Sequence, residues 1–222
     1  MLVYDQNIID TSSDINMLDS MYPSFCTMVS NQSKTIEHKY CTIYGYSYGE
    51  GRVVVDGKLY YLNAGDFFSF PIRENYPVFN TDDNIFVVVR LGFLGQHVFG
   101  KVEKKGRLSY IDGCSDSMLV YPPRFGDPSL NFLHFPSNIN QTFHTHPSIR
   151  MGCVIGGRGV STLADKEVQL TEGMMFCLEE QEYHRFRTEN SHMDIIAFHP
   201  DGDWGPTDEN HTMLNRTYLE GK

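Results

Sequence analysis

The sequence predicts an all-β protein with little helix, in which two similar units follow one another along the chain. Three observations predict this class: the residue types in the apolar runs, the abundance of glycine and aromatic residues, and a repeat in fixed register. The chain has 222 residues, a length that suits two units of about 100 residues each.

The apolar runs are short and rich in β-branched and aromatic residues, as in Val53-Val54-Val55 and in residues 86–89. Such side chains pack well on the pleated surface of a strand. The chain also contains 19 Gly, 13 Tyr and 15 Phe, and short aromatic runs separated by glycine turns are typical of β-proteins. Because 41% of the residues are hydrophobic, the chain can form a packed core.

An internal repeat divides the chain into two copies that lie 108 residues apart. Gly49-Glu50-Gly51 aligns with Gly157-Arg158-Gly159, and residues 60–71 align with residues 168–179 without a gap. Each copy predicts a strand, a Gly-x-Gly turn, a hairpin and a final apolar strand. We therefore expect two similar β-barrels or sandwiches in tandem. The matched pairs are Leu62 with Leu170, Gly65 with Gly173 and Phe68 with Phe176.

The repeat also sets the expected domain boundaries. An N-terminal unit is predicted at residues 1–97 and a C-terminal unit at residues 131–200. Between them lies a predicted linker, residues 98–130, which is rich in Gly, Pro, Asp and Ser. Residues 201–222 show no strand pattern and are predicted to form a C-terminal arm.

Charge and cysteine usage indicate which partners and compartment to expect. The net charge of -10 disfavours binding to nucleic acid, whose phosphates attract a basic face. The five cysteines are widely spaced and form no CxxC pair, so we expect free thiols in a reducing compartment. The N-terminus resembles no signal peptide and no apolar run approaches ~20 residues. We expect a cytoplasmic protein with no membrane partner.

Three histidines form the sharpest chemical pattern in the sequence. His144 and His146 are two residues apart, so on a strand they would project from the same face. His184 follows Gly173, the glycine of the next hairpin, by eleven residues, which places it on a neighbouring strand. Imidazoles that meet in this way bind first-row transition metals. We therefore predict one divalent transition metal bound by these three side chains.

At these residues the chain resembles the cupin superfamily, whose motifs are G-x5-HxH-x3/4-E-x6-G and G-x5-P-x-G-x2-H-x3-N. The resemblance covers roughly residues 35–95 and 130–200. It implies two cupin-type barrels of the double-stranded β-helix or jelly-roll kind, a metal bound by His144, His146 and His184, and a homodimer. The second motif keeps its spacing in the C-terminal copy, at Gly173, Glu179, Gln181, His184 and Thr188.

One position departs from the family pattern. Arg150 stands where many cupins have a glutamate ligand, and a guanidinium has no lone pair to offer a metal. The resemblance implies that the metal is then bound by three histidines, as in some thiol and ring-cleaving dioxygenases of the cupin class. Arg150 is predicted to anchor a substrate carboxylate. The two interpretations are compatible.

The N-terminal copy has lost most of the ligand positions. The residues 108 positions before the three histidines are Ile36, His38 and Tyr76, and Thr42 corresponds to Arg150. With one histidine of three, this unit is predicted to bind no metal and to support a dimer or the rim of the second unit. His192 and His199 flank the last predicted strand and are expected to be exposed or at the rim.

The sequence therefore leads to one preferred function and two alternatives. The preferred one is a metal-dependent enzyme acting on a small, carboxylate-bearing organic molecule, as a 3-His non-haem iron dioxygenase. Fe(II) is the expected metal, although Ni, Mn, Cu or Zn would also accept imidazole ligands. The alternatives are a redox-neutral isomerase or lyase that uses the metal as a Lewis acid, and a non-catalytic small-ligand-binding cupin.

Overall fold

The computed structural model describes residues 1–4 and 14–202, so residues 203–222 of the predicted arm lie outside the described ranges. In these ranges the chain is all-β, as predicted, and its helical element is one 3-10 turn, Ile111–Gly113. The strands of the first half are β2 (Asp14–Met17), β3 (Ser24–Thr35), β4 (Cys41–Ser47), β5 (Gly51–Val55), β6 (Lys58–Leu62), β7 (Asp66–Ile72), β8 (Val78–Leu91) and β9 (Val98–Lys101). The remaining strands are β1 (Leu2–Tyr4), β10 (Leu108–Ser109), β11 (Ser115–Val120), β12 (Ser129–Phe135), β13 (Arg150–Leu163), β14 (Glu167–Thr171), β15 (Met175–Leu178), β16 (His184–Arg187) and β17 (Met193–His199).

The strands form two antiparallel sheets, one from each half of the chain. The first sheet has the order β2-β3-β8-β4-β7-β9, with β5 between β6 and β8. The second has the order β1-β15-β13-β17-β12-β11-β10, and β14 and β16 also pair with β13. Strand β1 joins the sheet of the opposite half, where Leu2 lies opposite Cys177. Neither order returns to its first strand, so closure of each half into a barrel stays a prediction.

The repeat seen in the sequence recurs in the strand register. In the first hairpin Gly51 lies opposite Leu62, and 108 residues later Gly159 lies opposite Leu170. The strand pairings recur as well. In the first half β4 pairs with β7 and β8, and β13, which covers the corresponding positions of the second half, pairs with β15 and β17. The two halves thus share a pairing scheme as well as a sequence pattern.

The segment predicted as a linker, residues 98–130, contains strands β9, β10 and β11 and packs against both sheets. Strand β9 pairs with β7, and Phe99 lies opposite Phe68. Strands β10 and β11 extend the second sheet from β12. An uncovered strand edge exposes a row of unpaired N–H and C=O groups, and these short strands satisfy the edges of β7 and β12. The change from one sheet to the other therefore falls between Lys101 and Leu108.

The central strands are buried on both faces because each face belongs to a different core. On β17, Ile195 and Ala197 pack into the core of the second half, whereas Ile196 and Phe198 pack into a core shared by both halves. This alternation follows from the two-residue period of a strand. The shared core also contains Tyr44, Phe86 and Val88 of the first half together with Leu130, Met151 and Met175 of the second.

Direct contacts across the shared core connect the halves. The ring centroids of Tyr44 and Phe198 are 5.0 Å apart, and the Tyr48 hydroxyl donates a hydrogen bond to the Val154 main-chain oxygen at 2.7 Å. All five cysteines are buried free thiols, and three of them, Cys26, Cys153 and Cys177, lie in this core. Across the described ranges, no helix has the length and apolar character needed to cross a membrane.

Candidate metal centre and its cavity

The structure brings the three predicted histidines together. The nearest ligand nitrogens of His144, His146 and His184 all lie within 4.8 Å of one another. The ring centroids of His144 and His184 are 4.5 Å apart, and each lies 5.1 Å from that of His146. Side chains from two separate hairpins therefore converge on one point.

The local structure that achieves this differs from the predicted strand. His144 forms an isolated bridge with His184, and β13 begins only at Arg150. The backbone N–H groups of His144 and His184 each donate to the other's carbonyl oxygen, at 2.9 and 3.0 Å. The expectation that His144 and His146 share a strand face was wrong because the chain opposite His146 turns: the Gln181 N–H donates to the His146 oxygen, and the Glu182 N–H donates to the Glu179 oxygen.

Backbone contacts fix the orientation of two of the rings. The Nδ1 atoms of His144 and His184 lie 2.9 and 2.8 Å from the carbonyl oxygens of Thr142 and Glu182. A carbonyl oxygen can only accept a hydrogen bond, so Nδ1 carries the hydrogen in each ring and Nε2 keeps a lone pair. Metal-binding histidines in general are oriented by this kind of contact.

One ring nitrogen of the cluster is buried and has a lone pair that a metal ion would satisfy. The Nε2 atom of His184 is buried and has no hydrogen-bond partner among the described residues. A buried polar atom in this state costs free energy unless something satisfies it. A metal ion among the three rings would accept this lone pair, and so the residues fit a metal.

The protonation state of the rings also suits a metal. Burial, followed by the nearby Arg150 guanidinium, lowers the pKa of His146 to about 3. Burial lowers the pKa of His184 to about 4, against the opposing effect of its hydrogen bond to Glu182. Both rings are therefore neutral near pH 7, and a neutral imidazole is the form that binds a metal.

The histidines open onto a cavity in the core of the second half. Its volume is about 30 Å³, room for about two water molecules. The wall is mainly apolar and carries a few polar groups, as is usual for small-molecule sites. Besides His144 and His146, the lining residues are Tyr110, Leu133, Phe135, Gln141, Arg150, Phe176, Leu178, Phe186, Ala197 and His199.

Arg150 lies in this wall and is 4% exposed. Its Nη1 atom donates to the Oδ1 atom of Asp201 at 3.1 Å, to the Ser148 hydroxyl at 2.5 Å and to the Ile149 main-chain oxygen at 3.0 Å. No pattern in the sequence indicates the ion pair with Asp201. The two residues are 51 positions apart and belong to no common motif, and only the fold brings them together.

His199 is a second residue that sequence reasoning misjudged. It was expected to be exposed or at the rim, but it is half-buried and lines the cavity, with its ring centroid 6.3 Å from that of His146. Burial and the charge of Arg150 hold its pKa well below the usual value. The alternation along the strand could have predicted this position. His199 lies on the same strand face as Ile195 and Ala197, which pack into the core of the second half. His192 is exposed, as expected.

The corresponding positions of the first half are not brought together. Ile36 is buried in the hydrophobic core, the His38 ring packs 5.2 Å from that of Phe25, and Tyr76 is 46% exposed. Aromatic side chains fill the interior of this half, including the stacked rings of Phe68 and Phe70 and the neighbouring ring of Phe79.

Comparison with solved structures identifies the fold. The cupin 2 conserved barrel domain protein from Leptotrichia buccalis superposes with a TM-score of 0.63 at 15% identity, over 89% of this chain and 95% of that one. The chain has the cupin fold. A second cupin-like match is the putative glyoxylate-induced protein from Pseudomonas aeruginosa, with a TM-score of 0.63 at 15% identity over 84% and 76% of the two chains.

Two further matches are a solved structure and a family model. Salicylate 1,2-dioxygenase from Pseudaminobacter salicylatoxidans shares the cupin fold with a TM-score of 0.60 at 12% identity, over 82% of this chain and 71% of that one. A family model described as the AraC-like ligand binding domain matches residues 132–211. A search of curated protein sequences found no match.

Proposed function

We propose that this cupin is a metal-dependent enzyme that acts on a small organic molecule, with one divalent transition metal bound by His144, His146 and His184. The observation that carries the proposal is the convergence of three imidazoles within 4.8 Å, with His184 Nε2 buried and unsatisfied among the described residues. The oriented rings and their lowered pKa values support the same assignment.

Within this class we favour a 3-His non-haem Fe(II) dioxygenase. Three protein ligands on one side of a metal leave coordination positions for a substrate and O2, and bound Fe(II) would supply redox chemistry at those positions. The fold shared with salicylate 1,2-dioxygenase supports this choice. Ni, Mn, Cu and Zn are the alternative metals.

The chain's own residues would bind and orient the substrate. The rings of Phe135, Phe176 and Phe186 line the cavity and would exclude water from the reacting groups. Arg150 lies in the same wall, and we propose that its guanidinium orients a carboxylate of the substrate. With about 30 Å³ of free volume, the site favours a small substrate.

Two other functions use the same residues. A redox-neutral isomerase or lyase would need the metal only as a Lewis acid. A non-catalytic small-ligand-binding cupin is favoured by the match to the AraC-like ligand binding domain, because residues 132–211 include all three histidines. Turnover without O2 separates a dioxygenase from an isomerase or lyase.

The tandem arrangement is also a proposal. We propose that residues 1–97 and 131–200 form the bodies of two cupin barrels, that the first binds no metal, and that it supports the second through the shared core. The register repeated 108 residues apart supports this arrangement. We also propose a homodimer in the cytoplasm with no nucleic-acid or membrane partner. Measurement of the molecular mass in solution tests the dimer.

Elemental analysis tests the metal assignment. Protein purified without added metal should contain one transition-metal ion per chain, and His184→Gln should lose it. The matched control is His192→Gln, because His192 is an exposed histidine outside the cluster. A parent protein that contains no metal and takes up none when Fe(II) is added under anaerobic conditions would refute the proposal.

A further inference from the structure

The cavity wall contains one permanently charged side chain among the described residues, that of Arg150. A carboxylate of the chain already contacts it: Asp201 Oδ1 accepts a hydrogen bond from Arg150 Nη1 at 3.1 Å and another from the Ser148 hydroxyl. Only 5% of the Arg150 side chain and 12% of the Asp201 side chain are exposed. Solvent therefore screens this ion pair weakly.

The position of Asp201 is fixed by the chain around it. The next residue, Gly202, donates its N–H to the Asp127 carbonyl oxygen at 2.7 Å and accepts from the Gly126 N–H at 2.8 Å. A Cβ atom on Gly202 would lie 2.8 Å from the same Asp127 oxygen and 3.1 Å from Pro122 Cγ. The backbone that follows β17 is thus held against residues 122–127, and this contact presents the Asp201 carboxylate to Arg150.

The ion pair makes it unfavourable for a carboxylate from outside the chain to bind at Arg150. It must either share the guanidinium with a second negative charge or displace Asp201, which would leave a carboxylate with less compensation in a largely buried place. A neutral molecule of the same shape faces neither penalty. The charge of Arg150 therefore contributes less to the binding of anions than it would without its partner.

We propose that Asp201 is a specificity-determining residue of this cavity and reduces its preference for carboxylates by pairing with the Arg150 guanidinium through Nη1. The inference rests on the proposed function, because it concerns the substrate of the same site. It narrows the substrate class to small molecules whose affinity comes mainly from groups that face the histidines and the apolar wall, so that Arg150 orients a substrate carboxylate but adds little net affinity for it. A carboxylate that reaches Arg150 is accepted in competition with Asp201.

Acetate and acetamide are suitable probes because they differ in charge but hardly in shape. Their dissociation constants are measured by calorimetry on the metal-loaded parent, on Asp201→Asn and on the double variant Arg150→Gln/Asp201→Asn. The asparagine keeps the shape of the aspartate and removes its charge. The double variant removes both charges, so it measures any binding of acetate directly to the metal.

In Asp201→Asn the preference for acetate over acetamide should rise by about tenfold or more relative to the parent, the size expected for a close charged contact away from solvent. In the double variant the preference should return to the parent value. Acetate should also raise the Tm of Asp201→Asn more than that of the double variant. If Asp201→Asn does not fold, Asp201→Ser gives the same comparison, since it also removes the charge.

An unchanged acetate preference in Asp201→Asn would overturn the inference, as would a rise that persists in the double variant. Elemental analysis of the same samples distinguishes a failure of the Asp201 inference from a failure of the proposed metal site. If the metal assignment is wrong, the parent protein contains no metal, and its preference for acetate over acetamide can still be measured. Failure of the inference alone appears as metal-loaded protein whose preference does not respond to Asp201.

Discussion

The main chains of His144 and His184 hydrogen-bond to each other in both directions, with N–O distances of 2.9 and 3.0 Å. This reciprocal bridge holds the two rings 4.5 Å apart through the backbone of the fold. A site held by backbone contacts of this kind is preorganised, so that less ordering is left to its ligand.

Removal of the metal should lower the thermal stability without unfolding the protein. Because the ion binds the folded state, a free concentration of 100 times Kd contributes about 2.7 kcal/mol. For a chain of this size that amounts to a Tm decrease of roughly 5–10 °C after chelation. Calorimetric scans before and after chelation measure it. The His184→Gln variant should show no decrease, and an equal decrease in that variant would indicate a different metal site.

The metal-free protein should lose stability as the pH falls below about 6.5. His146 and His184 titrate near 6.5 when unfolded but at about 3 and about 4 in the fold. Between these values the unfolded chain binds more protons, so acid favours unfolding, by about 1.4 kcal/mol per pH unit for each ring.

Urea unfolding at pH 7 and pH 5 tests this dependence. The parent should lose roughly 2 kcal/mol more than His146→Gln over that interval, because the variant lacks one of the buried rings. Parallel slopes for the parent and His146→Gln would contradict a buried neutral His146.

The contact between the halves should contribute measurably to stability. Tyr48→Phe removes the hydroxyl that donates to the Val154 main-chain oxygen at 2.7 Å, and the loss of such a bond costs about 1 kcal/mol or somewhat more. Tyr61 is 70% exposed, so Tyr61→Phe should change the free energy of unfolding by less than about 0.5 kcal/mol. Equal effects of the two substitutions would count against the shared core.

The cysteines should be unreactive while the protein is folded. All five are buried, and burial raises the pKa of both Cys41 and Cys177 to about 12. Since the thiolate is the reactive form, a thiol reagent should label almost none of them at pH 8 and all five in guanidinium chloride. Rapid labelling of a thiol in the native protein would show that one of these positions opens.

The sequence predicts the class of the fold and the three histidines because both depend on short-range regularities. β-branched runs, glycine turns and a repeat in fixed register indicate strands, and the motif spacing connects His184 with the HxH pair across a hairpin. The strand geometry inferred for His144 and His146 was nevertheless wrong, since the chain opposite His146 turns at residues 179–182 and leaves an isolated bridge. Motif spacing therefore predicted the cluster better than it predicted the local backbone.

Features that depend on packing between distant segments could not be predicted. Asp201 contacts Arg150 across 51 residues, and no periodicity connects them. Strands β9 and β10 have four and two residues, too few for a two-residue alternation to stand out in a polar segment. The alternation along β17 places His199 on the cavity side of the strand, but its position at the end of the strand suggested the rim of the second half.

The central claim is that His144, His146 and His184 together bind a metal ion. An anomalous difference map from crystals of the metal-loaded protein, measured at the absorption edge of the metal found by elemental analysis, tests it most directly. We predict one peak per chain at about 2.0–2.2 Å from a ring nitrogen of each of the three histidines. A map with no peak there, or with the metal bound elsewhere and the three rings apart, would contradict it.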